Sequence, residues 1–256
     1  MTDTRTHVIN YLNKDTRYDG RKKDKYREIT VETDISKSAE GSSRVKIGDT
    51  EVLAGVKFEV GQPYPDIPEE GTMMVNAELI PMSNPEFEPG PPGIQAIELA
   101  RVVDRGIRES KVIEVEKLCI EPGEKIWIVF IDIHIIDYDG NLFDAASLAA
   151  LAALKTTIVP AKRFELGEDY PLPLRDPPVS CTSVKFNGVI VADPALDEEE
   201  IADARLTVAT DKNGDIRAMQ KGLNGSFTVD EIKKVINDSI NNGNKIREEL
   251  YKISGK

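Results

Sequence analysis

From Ile29 onward, apolar and polar positions alternate with a period of two over Ile29/Val31, Ser43–Ile47 and Glu51–Val60, which predicts strands. Gly41 marks a turn before the second run, and Gly48-Asp49 predicts a hairpin between the second and third. Upstream, Val8, Tyr11 and Leu12 share one side of His7–Leu12, as in a short amphipathic helix, and Arg17-Tyr-Asp-Gly-Arg21 reads as a turn. Three prolines make Gly61–Glu70 a loop; Met73–Pro81 reads as a strand and Asn84–Gly93 as a Pro/Gly loop. A 3.6-residue period predicts a helix over Ile94–Lys111. Leu118–Ile120 then reads as a short strand, Glu121–Glu124 as a turn, Lys125–Ile136 as the longest strand and Asp137–Asn141 as a turn. An Ala/Leu-rich helix follows to about Lys155, with Asp144 as its expected N-cap. It is apolar on nearly every face, so it must be buried all round.

Arg163–Pro178 carries four prolines and no periodicity, which marks it as a linker. Strands are predicted beyond it at Val179–Phe186, Val189–Ala192, Arg205–Thr210 and Ile216–Lys221, with a turn at Lys212–Asp215. The acidic run Asp197–Glu200 reads as a solvated loop and helix start. An amphipathic helix closes the chain over about Val229–Ile253, interrupted near Asn241–Asn244. Each half is strands followed by helix. The fold class is therefore α+β, with one subdomain over 1–162 that includes the N-terminal helix, a linker at 163–178 and a second subdomain over 179–256.

Composition narrows the chemistry. The chain has 256 residues, 40% of them hydrophobic, enough for a sizeable core. No apolar run approaches the ~20 residues of a membrane span, and the N-terminus lacks the apolar centre of a secretory signal, so a cytoplasmic location is expected. The net charge of −12 opposes bulk attraction to nucleic acid, so any such contact needs a local basic patch or a partner subunit. Cys119 and Cys181 are expected to be buried, reduced thiols. With only His7 and His134 and no Cys-x-x-Cys, a zinc set is missing; Asp132, Asp137 and Asp139 are ordinary in and near a turn, and Ser147 has no histidine context. No metal or cofactor is expected.

The most informative pattern lies in the helix over Ile94–Lys111. At about 100° per residue, Arg101, Arg105 and Arg108 form a stripe about 60° wide, opposite Leu99, Val103 and Ile107. Two readings of the spacing stay open: a solvated face with ion pairs to Asp104 and Glu109, or a row of planar guanidinium groups suited to successive phosphates.

The sequence resembles the RNase PH family. Arg17-Tyr-Asp-Gly-Arg21 is similar to its R-x-D-G-R motif, and the run Gly41–Leu53 is similar to its G-S-x-x-V-x-x-G-x-T-x-V signature. The R-x3-R-x2-R spacing at 101, 105 and 108 is similar to the family's as well. Within the family the likeness is greatest to the non-catalytic RNase PH-like subunits of the archaeal exosome. The resemblance implies two β-α units of ribosomal-protein-S5 domain 2-like topology. It also implies a hetero-hexameric ring in which the chain alternates with a catalytic paralogue around single-stranded RNA, with RNA-binding cap subunits as further partners. Catalytic members degrade RNA from the 3′ end, inorganic phosphate attacking the terminal phosphodiester.

Two departures bear on that chemistry. Where active relatives carry D-G-G-(S/T)-R, this chain has Asp139-Gly-Asn-Leu-Phe143, so Leu142 and Phe143 replace a hydroxyl and an arginine. Where they carry a catalytic Asp, it has Arg205, which cannot exchange a proton at neutral pH; Asp203 lies two positions away. The expectation is a subunit with no catalytic residues of its own that binds and positions RNA through Arg101, Arg105 and Arg108 and structures the paralogue's active site. The alternatives are an active phosphate-dependent 3′–5′ exoribonuclease using Asp203, and a purely structural ring component.

Overall fold

The structure is a computed structural model and describes Val8, Tyr11 and residues 16–253. Val8 and Tyr11 are helical; the remainder of the expected N-terminal helix lies outside the described residues.

The first half builds a mixed sheet from β1 (Ile29–Thr33), β2 (Gly41–Ile47), β3 (Thr50–Gly61), β4 (Thr72–Leu79), β5 (Cys119–Glu121) and β6 (Lys125–Asp137). Its order is β1-β2-β3-β6-β4, with β5 also paired to β6, and only the β4–β6 pair is parallel. The period of two becomes burial directly. Val52, Ala54, Val56 and Phe58 of β3 and Val129, Ile131, Ile133 and Ile135 of β6 point into one core, in the register Val56↔Ile131. Two helices cover that face, α1 (Ile94–Ser110) and α2 (Leu142–Lys155).

Two short strands, β7 (Ile158–Val159) and β8 (Tyr170–Pro171), pair within the proline-rich stretch. The second half forms an antiparallel sheet of β9 (Val179–Phe186), β10 (Val189–Ala192), β11 (Ala204–Thr210) and β12 (Ile216–Gly222), ordered β10-β9-β11-β12. The short α3 (Leu196–Glu200) lies between β10 and β11 in sequence, and the long α4 (Val229–Lys252) packs on β9 and β11. Helix α2 touches β2 and β3 on one side and β9 on the other. This position between two sheets is why it is apolar all round. Val179, Cys181, Ile246 and Leu250 from the second half join the first half's core.

Several expectations need correction. Helix α4 is not interrupted: Asn242 and Gly243 lie buried in its middle. A Cβ at Gly243 would stand 3.1 Å from Thr210 Oγ1, so the weak helix former is there to let helix and sheet approach, and packing overrides propensity. The stretch 163–178 is strapped down, with Arg175 N donating to Val112 O at 2.7 Å and Leu174 bridging Ile113. Asp144 is not the N-cap of α2; Asn141, in the left-handed region at φ 57°, precedes the helix and Asp144 is its third residue. Asp197–Glu200 is a helix start, as expected, but no part of it is loop, and Glu198 is buried rather than solvated. Cys181 is buried but Cys119 only half so, and both are free.

Candidate RNA-contacting face and adjoining cleft

Arg17 opens the R-x-D-G-R run and is among the most buried side chains, at 1% exposure. Its Nε donates to Glu198 Oε1 at 2.9 Å, Nη2 pairs with Glu198 Oε2, and Nη1 and Nη2 donate to the carbonyls of Ala192 and Asp193 at 2.7 Å each. The motif is a fastening between the N-terminal segment and the second half, not a site open to ligand. Beside it, Asp193 accepts from Arg21 at 2.7 Å, from Arg27 Nη2 at 2.9 Å and from Asn141 Nδ2 at 2.8 Å. Burial alone would raise its carboxyl; the Arg27 bonds outweigh that and hold it below the usual value.

The turn 139–144 joins this network. A Cβ at Gly140 would stand 2.5 Å from Pro194 O, so the turn can sit against α3 only with glycine there. Asp144 turns away from the helix end to accept from Tyr26 Oη (2.6 Å), Asn141 Nδ2 (2.8 Å), and Thr182 N and Oγ1 (2.8 Å each). Burial pushes its carboxyl up to about 6, against the pull of those donors.

On the other side of α2's first turn lies a cleft of about 240 Å³, where the departures from the phosphorolytic pattern meet. Its charged lining is Glu86, Glu98, Glu199, Glu200 and one cation, Arg205. That cation is already paired. Arg205 Nη2 donates to Glu98 Oε1 at 2.5 Å, and the guanidinium carbon lies 4.0 Å from the Phe143 ring centroid. Gly222, opposite Arg205 on β12, makes room: a Cβ there would be 2.6 Å from Nη2. Tyr138 Oη donates to Glu199 at 2.9 Å, and burial raises the Glu199 carboxyl. Asp203 does not line the cleft; its carboxylate accepts from Asn187 N at 3.1 Å in the β9–β10 turn. An inorganic phosphate placed here would face four glutamates and a guanidinium already paired.

Helix α1 forms the cleft's outer wall. Leu99, Val103 and Ile107 are buried, with Ala96, Val102 and Gly106 beside them, and Arg101, Arg105 and Arg108 are exposed. The three arginines are not equivalent. Arg108 bonds Asp104 at 2.8 and 3.1 Å and donates to Met73 O at 3.0 Å, so it is half neutralised and tied to β4. Arg105 Nη1 donates to Gln220 Oε1 at 3.0 Å, a neutral partner that leaves its charge intact. Arg101 has no hydrogen-bond or ion-pair partner among the described residues. The sequence pointed to Asp104 as an ion-pair partner but missed Glu98, although Glu98 falls within about 20° of Arg105 on the same helical projection. Among the described residues no three His, Cys, Asp or Glu side chains gather as a metal set, and no helix is long and apolar enough to cross a membrane.

Residues 25–160 match the 3′ exoribonuclease family, domain 1, and residues 176–240 match domain 2 of the same family. The chain is 52% identical over 249 residues to exosome complex component Rrp42 of Methanocella arvoryzae, covering 97% of this chain and 96% of that protein. It is 50% identical over 251 residues to the protein of the same name from Archaeoglobus fulgidus, again covering 97% and 96%. Its fold is similar, with a TM-score of 0.95 and 49% identity, to a chain of the Archaeoglobus fulgidus exosome with RNA bound to the active site, over 97% of this chain and 98% of that one.

Proposed function

The chain belongs to the 3′ exoribonuclease family, both domains in order, and we propose that within it this protein is a non-catalytic subunit of the exosome ring. It binds and positions single-stranded RNA while a catalytic paralogue performs the phosphorolysis. The kinship with exosome components supports the assembly. The observation that carries the non-catalytic part is the cleft: four glutamates and a single arginine line it, and that arginine is ion-paired with Glu98 and stacked on the Phe143 ring. A phosphorolytic site must attract inorganic phosphate, and the one cation lining this cleft is already paired with Glu98.

What remains is positioning. Arg101 and Arg105 lie one turn apart, about 6 Å along the helix axis, a separation comparable with that of successive phosphates on an extended single strand. Each planar guanidinium can hold a phosphate through two parallel bonds. Such contacts fix the strand's path without reading its sequence, and a held strand presents its terminal bond to the partner's site at high effective concentration. The negative bulk charge is compatible with this role because Arg101 and Arg105, neither paired with an acid among the described residues, stand together on one helix.

The test is phosphate-dependent release of nucleoside diphosphates from single-stranded RNA. The chain alone should be silent, the assembly with its catalytic paralogue active, and Arg101→Ala/Arg105→Ala in that assembly should bind RNA more weakly and with a shallower salt dependence. Turnover by the chain alone would refute the non-catalytic reading. Unchanged binding by the double variant would refute RNA positioning by these arginines.

A further inference from the structure

Glu98 shares the arginine face of α1. It lies three residues before Arg101, and Glu98, Arg101, Arg105 and Gln220 line one shallow depression between the helix and β12. A Glu–Arg pair at that spacing is an ordinary helix-surface interaction. It is not formed here. Glu98 reaches across to Arg205 on β11, and Arg101 is left without a partner among the described residues. The Arg205 side chain is only 12% exposed and is held from three sides: by Glu98, by the Phe143 ring, and by the space that Gly222 leaves open. Asp104, the next acid along the helix, is occupied by Arg108.

We propose that Arg205 is a positioning residue for RNA binding: it draws the Glu98 carboxylate toward the second sheet and so keeps Arg101 uncovered for a phosphate. The proposal rests on the RNA-positioning reading above and adds a residue that touches no RNA. Without Arg205, Glu98 would pair with Arg101 on the helix surface and set a negative charge beside the incoming phosphate. Both effects weaken binding, and both act through Glu98. The signature is therefore specific. Loss of Arg205 should mimic loss of Arg101, and removing the Glu98 charge should undo it.

The experiment measures RNA affinity of the assembled complex against salt for Arg101→Ala, Arg205→Met, Arg205→Lys and Glu98→Gln/Arg205→Met. One phosphate contact on single-stranded RNA contributes about 0.7 to the slope of log affinity against log salt. Arg101→Ala and Arg205→Met should each lower the slope by about that amount. Arg205→Lys, which keeps a cation within reach of Glu98, should lie near wild type, and Glu98→Gln/Arg205→Met should recover the wild-type slope. A merely structural Arg205 would give weaker binding that Glu98→Gln cannot repair, which would overturn the proposal. Should Arg205→Met fail to assemble, Arg205→Gln, which removes the charge and still fills space beside the Phe143 ring, takes its place with the same expected slope, and a wild-type slope for it overturns the proposal. An Arg101→Ala complex that binds like wild type would instead refute the underlying reading. Arg101→Ala effective with Arg205→Met silent refutes only the role of Arg205.

Discussion

The guanidinium carbon of Arg205 lies 4.0 Å from the centre of the Phe143 ring, so the two residues that depart most from the phosphorolytic pattern are packed against each other. Where the resemblance implies an arginine and an aspartate, Phe143 and Arg205 stand instead, and together they form a contact. Phe143 is 6% exposed, and a desolvated cation over an aromatic face is worth up to about 2 kcal/mol. A double-mutant cycle of Phe143→Leu and Arg205→Met, read by denaturant unfolding, should give a coupling of about 1–2 kcal/mol. Additive losses would mean that the stack contributes nothing.

A motif can be conspicuous in sequence and purely structural in the fold. Gly41 opens the G-S signature, and a Cβ there would stand 2.1 Å from Thr157 Oγ1 and 2.4 Å from the backbone oxygen of Ala153. Ser43 Oγ, two residues on, donates to Ala149 O at 2.7 Å. The signature fastens β2 to α2. Gly41→Ala should cost about 1–3 kcal/mol by overpacking, with the salt dependence of RNA binding unchanged in whatever protein folds. A normal melting temperature would contradict the close approach.

Local pattern was legible wherever neighbours in sequence settle the outcome. The alternation in β3 and β6, the turn at Gly48 and the all-apolar α2 each report burial that the residue types themselves carry. The family likeness carried the two-domain fold. Distance in sequence was not legible. Arg17 looked like a turn cation because its partners, Ala192, Asp193 and Glu198, are 175 to 181 positions away. Glu198 looked solvated for the same reason. Asn241–Asn244 looked like a helix break because the tertiary contact that favours Gly243 lies on β11. At the site, the arginine stripe was visible as geometry, but which arginines keep a free charge depends on Asp104, Gln220 and Glu98, and two of those lie outside the predicted ion pairs.

Arg17 gives a test of the long-range fastening. Removing one member of a buried ion pair leaves the other uncompensated, and Arg17→Ala should destabilise the chain by about 3–5 kcal/mol. Arg17→Lys should recover little, because an ammonium cannot reproduce a two-point contact with Glu198 while also reaching two carbonyls. A lysine variant with the wild-type urea midpoint would show that charge alone suffices.

Asp144 predicts a pH dependence. Its carboxyl titrates at about 6 in the folded chain and near about 3.9 unfolded, so between those values the folded state holds more protons. Its contribution to stability therefore falls as pH rises from about 4 to about 6, by roughly 3 kcal/mol, and is flat above. The stability difference between wild type and Asp144→Asn should shrink by that amount across the window. A difference that stays constant with pH would place the carboxyl at an ordinary value.

Asp104 offers the opposite test of the arginine face, a gain. Arg108 is held by both Asp104 oxygens, and that contact raises its pKa above the ordinary guanidinium value. An exposed pair of this kind contributes only about 0.3–0.5 kcal/mol to the helix, so the fold does not depend on it. For RNA its cost is larger, because it neutralises one cation in a row of three. Asp104→Asn should leave thermal stability within about 0.5 kcal/mol of wild type and free the Arg108 charge for phosphate. The assembled complex should then bind single-stranded RNA more tightly at low salt, with a slope steeper by up to about 0.7. The remaining bond from Arg108 Nη2 to Met73 O sets the limit: if it alone keeps the guanidinium out of the strand's path, affinity will rise only through the lost repulsion and the slope will not change. Tighter binding with a steeper slope makes Arg108 a latent third contact; tighter binding without it leaves Arg101 and Arg105 as the pair that holds the strand.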